Sequence, residues 1–463
     1  MKRILLIVVL LVSLLTVPAL ADGGTAPKEI YTVDDLLAVA SDPSGSYILM
    51  ADIDMNGVAW PAITFTGTFN GNHHMILNLN NAQVSTETRV TYDGNRKTYD
   101  THFAALFAVL EHATVRDLRL INMDNTHTFE GDCFLGTIAG FASESTIENC
   151  EISGTVRLDV TGKMFGVGGV IGFGNCVVKD CTADVTLINI DLDKDHRDEQ
   201  FLGGVCGAGY PDIDGCTVNL AGYISDHGYV HSGGLVGMYI VYPQRFSRNG
   251  YIKNNKLDGF ITFFEDNSDR RAYCEARCGE IMDWQFSDSG NVYHFTRDER
   301  RTYTVNLLPH ECETPDYNDV TVDPSCDNPG YTAHICKTCG YTYRDSYVLP
   351  KHTLSETYDV IKEATLTETG IGEFTCTACG AKIRQELPML SPTPTPTPEP
   401  TIAPTATPVA AESVAAAPSD TTAAKDQAKD NSKVIPIICG ILILASAVLL
   451  VRIIIHARRM KKR

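Results

Sequence analysis

Positive charge is what this sequence has little of. Its 463 residues carry 38 lysines and arginines against 57 aspartates and glutamates, a net of −19. Eight of those basic residues and none of the acidic ones lie in residues 1–21 and 434–463, so the stretch between carries about −27. Such a surface repels nucleic acid and other anionic polymers, which excludes a nucleic-acid partner. Two attachment signals are missing as well. No cysteine follows the small-x-small sequence Ala19-Leu-Ala21, which argues against a lipoprotein, and no Leu-Pro-x-Thr-Gly sequence precedes the C-terminal apolar run, which argues against sortase attachment. No convincing active site stands out, and no catalytic residue is assigned.

The two ends carry topology. A basic start, Met1-Lys-Arg3, leads into an apolar run over residues 4–17, so residues 1–21 read as a signal peptide. Residues 434–451 are free of charge, and Arg452, Arg458, Arg459, Lys461, Lys462 and Arg463 follow. This predicts a transmembrane helix over 434–455 and a cytoplasmic tail over 456–463, hence a single-pass cell-membrane protein with its N-terminal ectodomain outside. Residues 391–433 are rich in proline, threonine and alanine and begin with proline at alternate positions. That composition holds an extended stalk and cannot pack a core.

Between the ends, a segment of about thirty residues recurs five times from Phe103 to Phe264. Units of that size cannot bury a core alone and stack into a solenoid. Four copies open with a glycine-flanked apolar stretch, Gly136-Thr-Ile-Ala-Gly140, Gly168-Gly-Val-Ile-Gly172, Gly203-Gly-Val-Cys-Gly207 and Gly233-Gly-Leu-Val-Gly237; the first has Ala104-Ala-Leu-Phe-Ala108. Aligned, the copies give two apolar columns, Val115, Ile147, Val178, Ile213, Ile252 and Leu120, Ile152, Ala183, Val218, Leu257. Between them run a charged column, Arg116, Glu148, Lys179, Asp214, Lys253, and a column of left-handed-tolerant residues, Asp117, Asn149, Asp180, Gly215, Asn254. Inward apolar columns and a repeated corner predict an all-β parallel β-helix over 28–264. The alternating signs suit a charge ladder between coils, although charged side chains simply facing solvent would read the same way. Thr32 and Asp35 resemble a capping box that starts a covering helix over 32–41, and residues 265–311, with Cys274, Cys278 and Trp284, depart from the repeat and read as the C-terminal cap.

The Gly233-Gly-Leu-Val-Gly237 sequence and its relatives, with Ala51-Asp-Ile-Asp-Met-Asn-Gly57, Trp60 and Phe65-Thr-Gly-Thr-Phe-Asn-Gly71, resemble the GLUG-motif β-helix surface proteins of Firmicutes. The resemblance covers roughly 28–264. It implies a right-handed, pectin-lyase-like β-helix exported to the cell surface, in an adhesin-like group, and carries over no catalytic residue.

Cysteines fall into groups. Cys150, Cys181 and Cys216 share one column and read as buried thiols, because rungs ~4.8 Å apart are too far for a relaxed disulfide. Cys274, Cys278 and Cys312 are open to a cap disulfide. Residues 312–390 hold a second repeat in which Pro324 to Gly340 aligns with Ala364 to Gly380 at an offset of 40, each copy ending in Cys-x-x-Cys-Gly. Cys336 and Cys339 with His310 and Cys326 make a zinc site in the first copy. In the second copy Leu366 replaces the fourth ligand, leaving Cys376 and Cys379 incomplete. One joint site of Cys336, Cys339, Cys376 and Cys379, or a disulfide in each pair, is the alternative.

Other candidates are weaker. The acidic runs at 52–57 and 191–199 read as turns or solvated loops rather than calcium sites, since the first lacks the closing glutamate. An aromatic and basic insertion, Tyr239, Tyr242, Arg245, Phe246, Arg248 and Tyr251, is the candidate for stacking a glycan. The expectation is therefore a non-enzymatic, adhesin-like surface protein that binds an extracellular glycan, a matrix component or a surface protein. The alternative is a polysaccharide lyase or glycoside hydrolase on the same scaffold.

Overall fold

The computed structural model describes residues 26–391 apart from 81, 91–97, 194–197, 226–227, 241–249, 265–271, 282–286, 299–309, 311 and 313. The expected signal peptide, stalk beyond residue 391, membrane span and cytoplasmic tail lie outside the described residues. Among the described residues no helix is long and apolar enough to cross a membrane.

The repeats form coils. One coil runs through Asp132–Leu135, Ala139–Glu148 and Glu151–Thr161, and the next through Met164–Gly168, Ile171–Lys179 and Thr182–Asp191. Each of the three strands pairs in parallel with its counterpart in the coils before and after, giving sheets of seven, fourteen and eight strands among the described residues. This is a parallel β-helix.

Both apolar columns are hydrogen-bonded rungs. Val115 stands opposite Ile147, then Val178, Ile213 and Ile252. Leu120 stands opposite Ile152, Ala183, Val218 and Leu257. All ten are buried in the main core. Between the columns the chain turns a left-handed corner in every coil, with φ of 53° at Asp117, 52° at Asn149 and Asp180, 71° at Gly215 and 58° at Asn254. Aspartate, asparagine and glycine are the residues that tolerate this region, so the corner dictates the composition of its column. The glycine-flanked motif serves a second, tighter bend. A Cβ on Gly203 would lie 2.0 Å from the carbonyl oxygen of Cys206, so side chains are excluded by backbone rather than by a partner that can move.

The ends differ in how well the repeat announces them. At the N-terminus, Thr32 and Asp35 form the expected capping box before the helix Val33–Leu37, and a 3-10 turn, Ala38–Ser41, follows. Leu36 and Val39 seal the core beneath it. At the other end the expected cap is corrected. Ala272–Glu275, Cys278–Ile281, Ser287–Ser289 and Val292–Asp298 pair in register with the preceding coil, with Cys278 opposite Val236 and Tyr293 opposite Leu257. This is a further coil. Its motif has decayed to Ala276-Arg-Cys-Gly279, and among the described residues no further coil pairs with it to hold the pattern. Trp284 lies outside the described residues.

The stacked cysteines are buried free thiols. Each Sγ is a weak donor aimed at the carbonyl two residues back, at 3.3 Å for Cys150, 3.2 Å for Cys181 and 3.6 Å for Cys216. The column then changes chemistry to amides. Asn255 accepts from the backbone N–H of Cys216 at 2.7 Å and donates to Asn291 at 2.9 Å.

Candidate metal centres in the tail

Residues 314–391 fold into two small three-stranded antiparallel sheets, Tyr317–Val322, Gly330–Cys336 and Thr342–Val348, then Leu354–Lys362, Gly370–Cys376 and Lys382–Leu387. In each, the Cys-x-x-Cys-Gly sequence closes a knuckle. Gly340 and Gly380 both take φ of 77°, which lets their N–H groups donate back to the carbonyls of Cys336 and Cys376 at 2.8 Å. The turn points both thiols of a pair the same way.

Four donors converge at each knuckle. The first set is His310, Cys312, Cys336 and Cys339, and the second is Cys326, His352, Cys376 and Cys379, with all ligand atoms of a set within 4.8 Å of one another. Zinc held tetrahedrally at ~2.3 Å from sulfur and ~2.0 Å from nitrogen requires edges of about 3.8 Å between sulfurs and about 3.5 Å from sulfur to nitrogen. The measured edges are 3.7 Å for Cys312 to Cys336, 3.8 Å for Cys326 to Cys376, 3.3 Å for His310 Nε2 to Cys339 and 3.6 Å for His352 Nδ1 to Cys379. A disulfide needs sulfurs at ~2.05 Å. The donors therefore fit a tetrahedral thiophilic cation, and all six cysteines are free thiols.

Local electrostatics favour thiolate in each knuckle. The backbone N–H of Cys339, and then that of Thr338, hold the Cys336 thiol down to about 6. Cys379 and Ala378 do the same for Cys376, also to about 6. Cys312 and Cys326 are instead pushed up to about 12, first by hydrogen bonding to Cys339 and Cys379 respectively. A cation arriving at either site thus meets one preformed thiolate and displaces a proton from Cys312 or Cys326.

This geometry corrects the sequence reading. Cys326 does not join His310; it reaches across to the second knuckle, and Cys312 completes the first. The reason is positional. Cys326 sits in the Ser325 to Asn328 loop, and Lys351 N–H donates to Ser325 carbonyl at 3.0 Å, which lays that loop against the start of the second sheet. Leu366, which holds the equivalent place in the second copy, is 61% exposed. The joint four-cysteine site is replaced by two separate sets. Cys312 is left open to a cap disulfide by sequence alone; its spacing from His310, His-x-Cys ahead of Cys-x-x-Cys, is the available signal.

The aromatic insertion is also revised. The Tyr239 ring is fully buried in the solenoid core and is not presented to a ligand. Tyr251 is partly exposed, with Lys253 Nζ 4.5 Å from its ring centre. Tyr242, Arg245, Phe246 and Arg248 lie outside the described residues. At 52–57, Asp52 accepts from His74 and from Met75 N–H, and Asp54 from Asn56 N–H and Asn78, so these oxygens serve the turn.

No family model matches the chain, and no curated protein matches it. Among solved structures, one titled IgA1 Protease is similar with a TM-score of 0.39 and 14% identity. The match covers 71% of this chain but 23% of that one, and a likeness this weak carries no functional argument.

Proposed function

We propose that the chain is an extracellular display scaffold: a β-helix carried on the 391–433 stalk, anchored by residues 434–455, and offering its coils to a glycan, matrix component or surface protein without chemistry of its own. What supports this reading is how the corner charges are used. Asp117 accepts from Asn149 at 2.6 Å, and Asp214 accepts from Asn254 at 2.9 Å and pairs with Lys253 at 3.2 Å. Arg116 and Lys179 turn onto Asp117 and Asp180. A lyase or hydrolase needs such groups directed at a sugar; here the aspartates Asp117 and Asp214 are engaged by side chains of the next coil, and Arg116 and Lys179 by the carboxylates beside them. The test is a glycan-array measurement on the full-length chain beside an assay for reducing-end or unsaturated-uronide release. Binding without release is expected, and release from any glycan would overturn the reading.

Each Cys/His set holds one structural zinc. With four protein ligands apiece the sites are closed, so the ion would supply folding stability rather than a reactive water. Elemental analysis of the full-length chain should give about two equivalents. Disulfides at Cys336–Cys339 and Cys376–Cys379 in native protein would overturn this.

A further inference from the structure

On the outer face of the eight-stranded sheet, the column nearest the left-handed corner is polar beyond its first rung. The column that begins at Met75 continues through Arg119, Glu151, Thr182, Thr217 and Lys256. Met75, Leu77 and Ile121 break that pattern. They alternate with the core residues Ile76 and Leu120 and so face outward, yet they are buried, because Tyr347 and Leu349 of the first tail sheet cover them. The solenoid thus carries an apolar landing patch where the tail sits.

Polar contacts surround the patch and reach both tail sheets. Asn78 donates to the Tyr347 carbonyl at 3.4 Å and Arg119 to the Asp327 carbonyl at 2.8 Å. Arg384, from the second sheet, donates to the Tyr31 hydroxyl at 3.1 Å and lies 3.6 Å from Glu29. Asp327 adjoins Cys326. The second metal set therefore stands where three bodies meet, with one ligand from the first sheet, three from the second sheet and its leader, and Arg119 of the solenoid on the neighbouring carbonyl. Beside it opens a cleft of about 860 Å³ lined by residues of both parts, among them Asp52, His73, Arg119, His352 and Arg384.

We propose that a metal ion shared by Cys326, His352, Cys376 and Cys379 is the pin that docks the tail onto the solenoid, so that the covered patch and the cleft exist only in the metal-loaded protein. The proposal rests on the zinc reading above. Without the ion the two sheets are joined by a short leader and the Lys351 to Ser325 hydrogen bond, and their contacts with the solenoid act one at a time. With it they form one body, and each contact is made at high effective concentration once another is in place.

Met75 reports docking directly, because a covered thioether resists peroxide and an exposed one does not. In the full-length chain, Met75 should oxidise as slowly as Met55, which lies in the solenoid core, while Met389, 52% exposed, oxidises fast. Cys326→Ser should retain one zinc equivalent instead of two and oxidise at Met75 at least tenfold faster, with Met55 unchanged. Chelation of the wild type should do the same, which guards against misfolding of the variant. Tyr347→Ala with Leu349→Ala should expose Met75 while keeping both equivalents. If Cys326→Ser loses one equivalent but Met75 stays as slow as in the wild type, docking is independent of the metal and the proposal fails with the zinc reading intact. Wild type that is folded but metal-free overturns the zinc reading and the proposal together.

Discussion

The solenoid and the tail solve the same problem, burying enough surface to hold a chain of short strands, in opposite ways. The solenoid spreads its stability over columns that run through every coil, so each side chain is held by the ones above and below it. The tail sheets have almost no interior. Their strands read as exposed or half-exposed, and Val320, Val322, Val348, Tyr358, Val360 and Ile361 remain in solvent. Their buried side chains are chiefly the knuckle cysteines Cys336 and Cys376. A region without a core must concentrate its stability in few bonds, and the described residues gather eight donors at its two knuckles.

The sharpest way to break the comparison is to remove the metal. Chelation should abolish the tail's folding transition, a loss on the order of 10 kcal/mol at each site by analogy with small zinc domains. The solenoid's own transition should persist, and scanning calorimetry separates the two. A single transition lost as one would mean that the solenoid depends on the tail.

The converse experiment strikes the solenoid. Phe103, Phe134, Phe201, His231 and Tyr273 form a ladder on the seven-stranded sheet, with ring centres 6.4, 6.0, 5.4 and 5.5 Å apart in turn. Phe134→Ala should cost about 3–5 kcal/mol through lost burial and the void left behind. Zinc content should not change. Denaturant melts monitored by far-UV circular dichroism, with elemental analysis alongside, would check both halves.

The same contrast explains what could be read from sequence. The coil columns were legible because parallel stacking repeats one environment at a fixed interval: Val115, Ile147, Val178, Ile213 and Ile252 share a neighbourhood and therefore a residue type. The corner was legible because only a few residues tolerate its backbone. The last described coil, 272–298, was not, since among the described residues no further coil pairs with it to enforce the motif. The metal sets were half legible. The Cys-x-x-Cys-Gly turns are local and announce themselves, but the fourth ligand is a tertiary choice. An offset of 40 pairs Cys326 with Leu366 by position in the fold, whereas the donor sets follow the loop that lands next to the following knuckle. The aromatic ladder went unread because its members are scattered among phenylalanine, histidine and tyrosine, with Gly166 in the gap.

Within that ladder His231 is a smaller test of the solenoid. It is 5% exposed, stacked between Phe201 and Tyr273, and burial holds its imidazole down to about 4. The folded state keeps the neutral ring, while the unfolded chain binds a proton below its ordinary value of about 6.5. The sign follows: this contribution is complete above about pH 6.5, is lost as the pH falls toward 4, and levels off below, at a total of up to about 3 kcal/mol. His231→Phe should retain the stack and lose this slope. Equal slopes for the two proteins between pH 6.5 and 4 would contradict the assignment.

The smallest expected effect concerns the charge column, where the alternation read from sequence overstates what the structure makes of it. Arg116 and Lys179 stand opposite Glu148 in the register, yet they turn to the carboxylates beside them, Asp117 at 2.9 Å and Lys179's neighbour Asp180 at 3.4 Å. Lys253 does cross between coils, to Asp214 at 3.2 Å, but its side chain is 38% exposed. A pair that wet gains little attraction after screening and the entropy of fixing a lysine, so Lys253→Ala should cost under about 1 kcal/mol. Asp214→Ala should cost more, because Asp214 also accepts from Asn254 at 2.9 Å and so supports the left-handed corner of the next coil. If the coils were held by a charge ladder, the two substitutions would be equal and both would weaken in high salt. If they are held by corners and columns, only the aspartate variant is measurably destabilised and salt leaves the difference in place. Urea melts of both variants at low and high ionic strength decide between them.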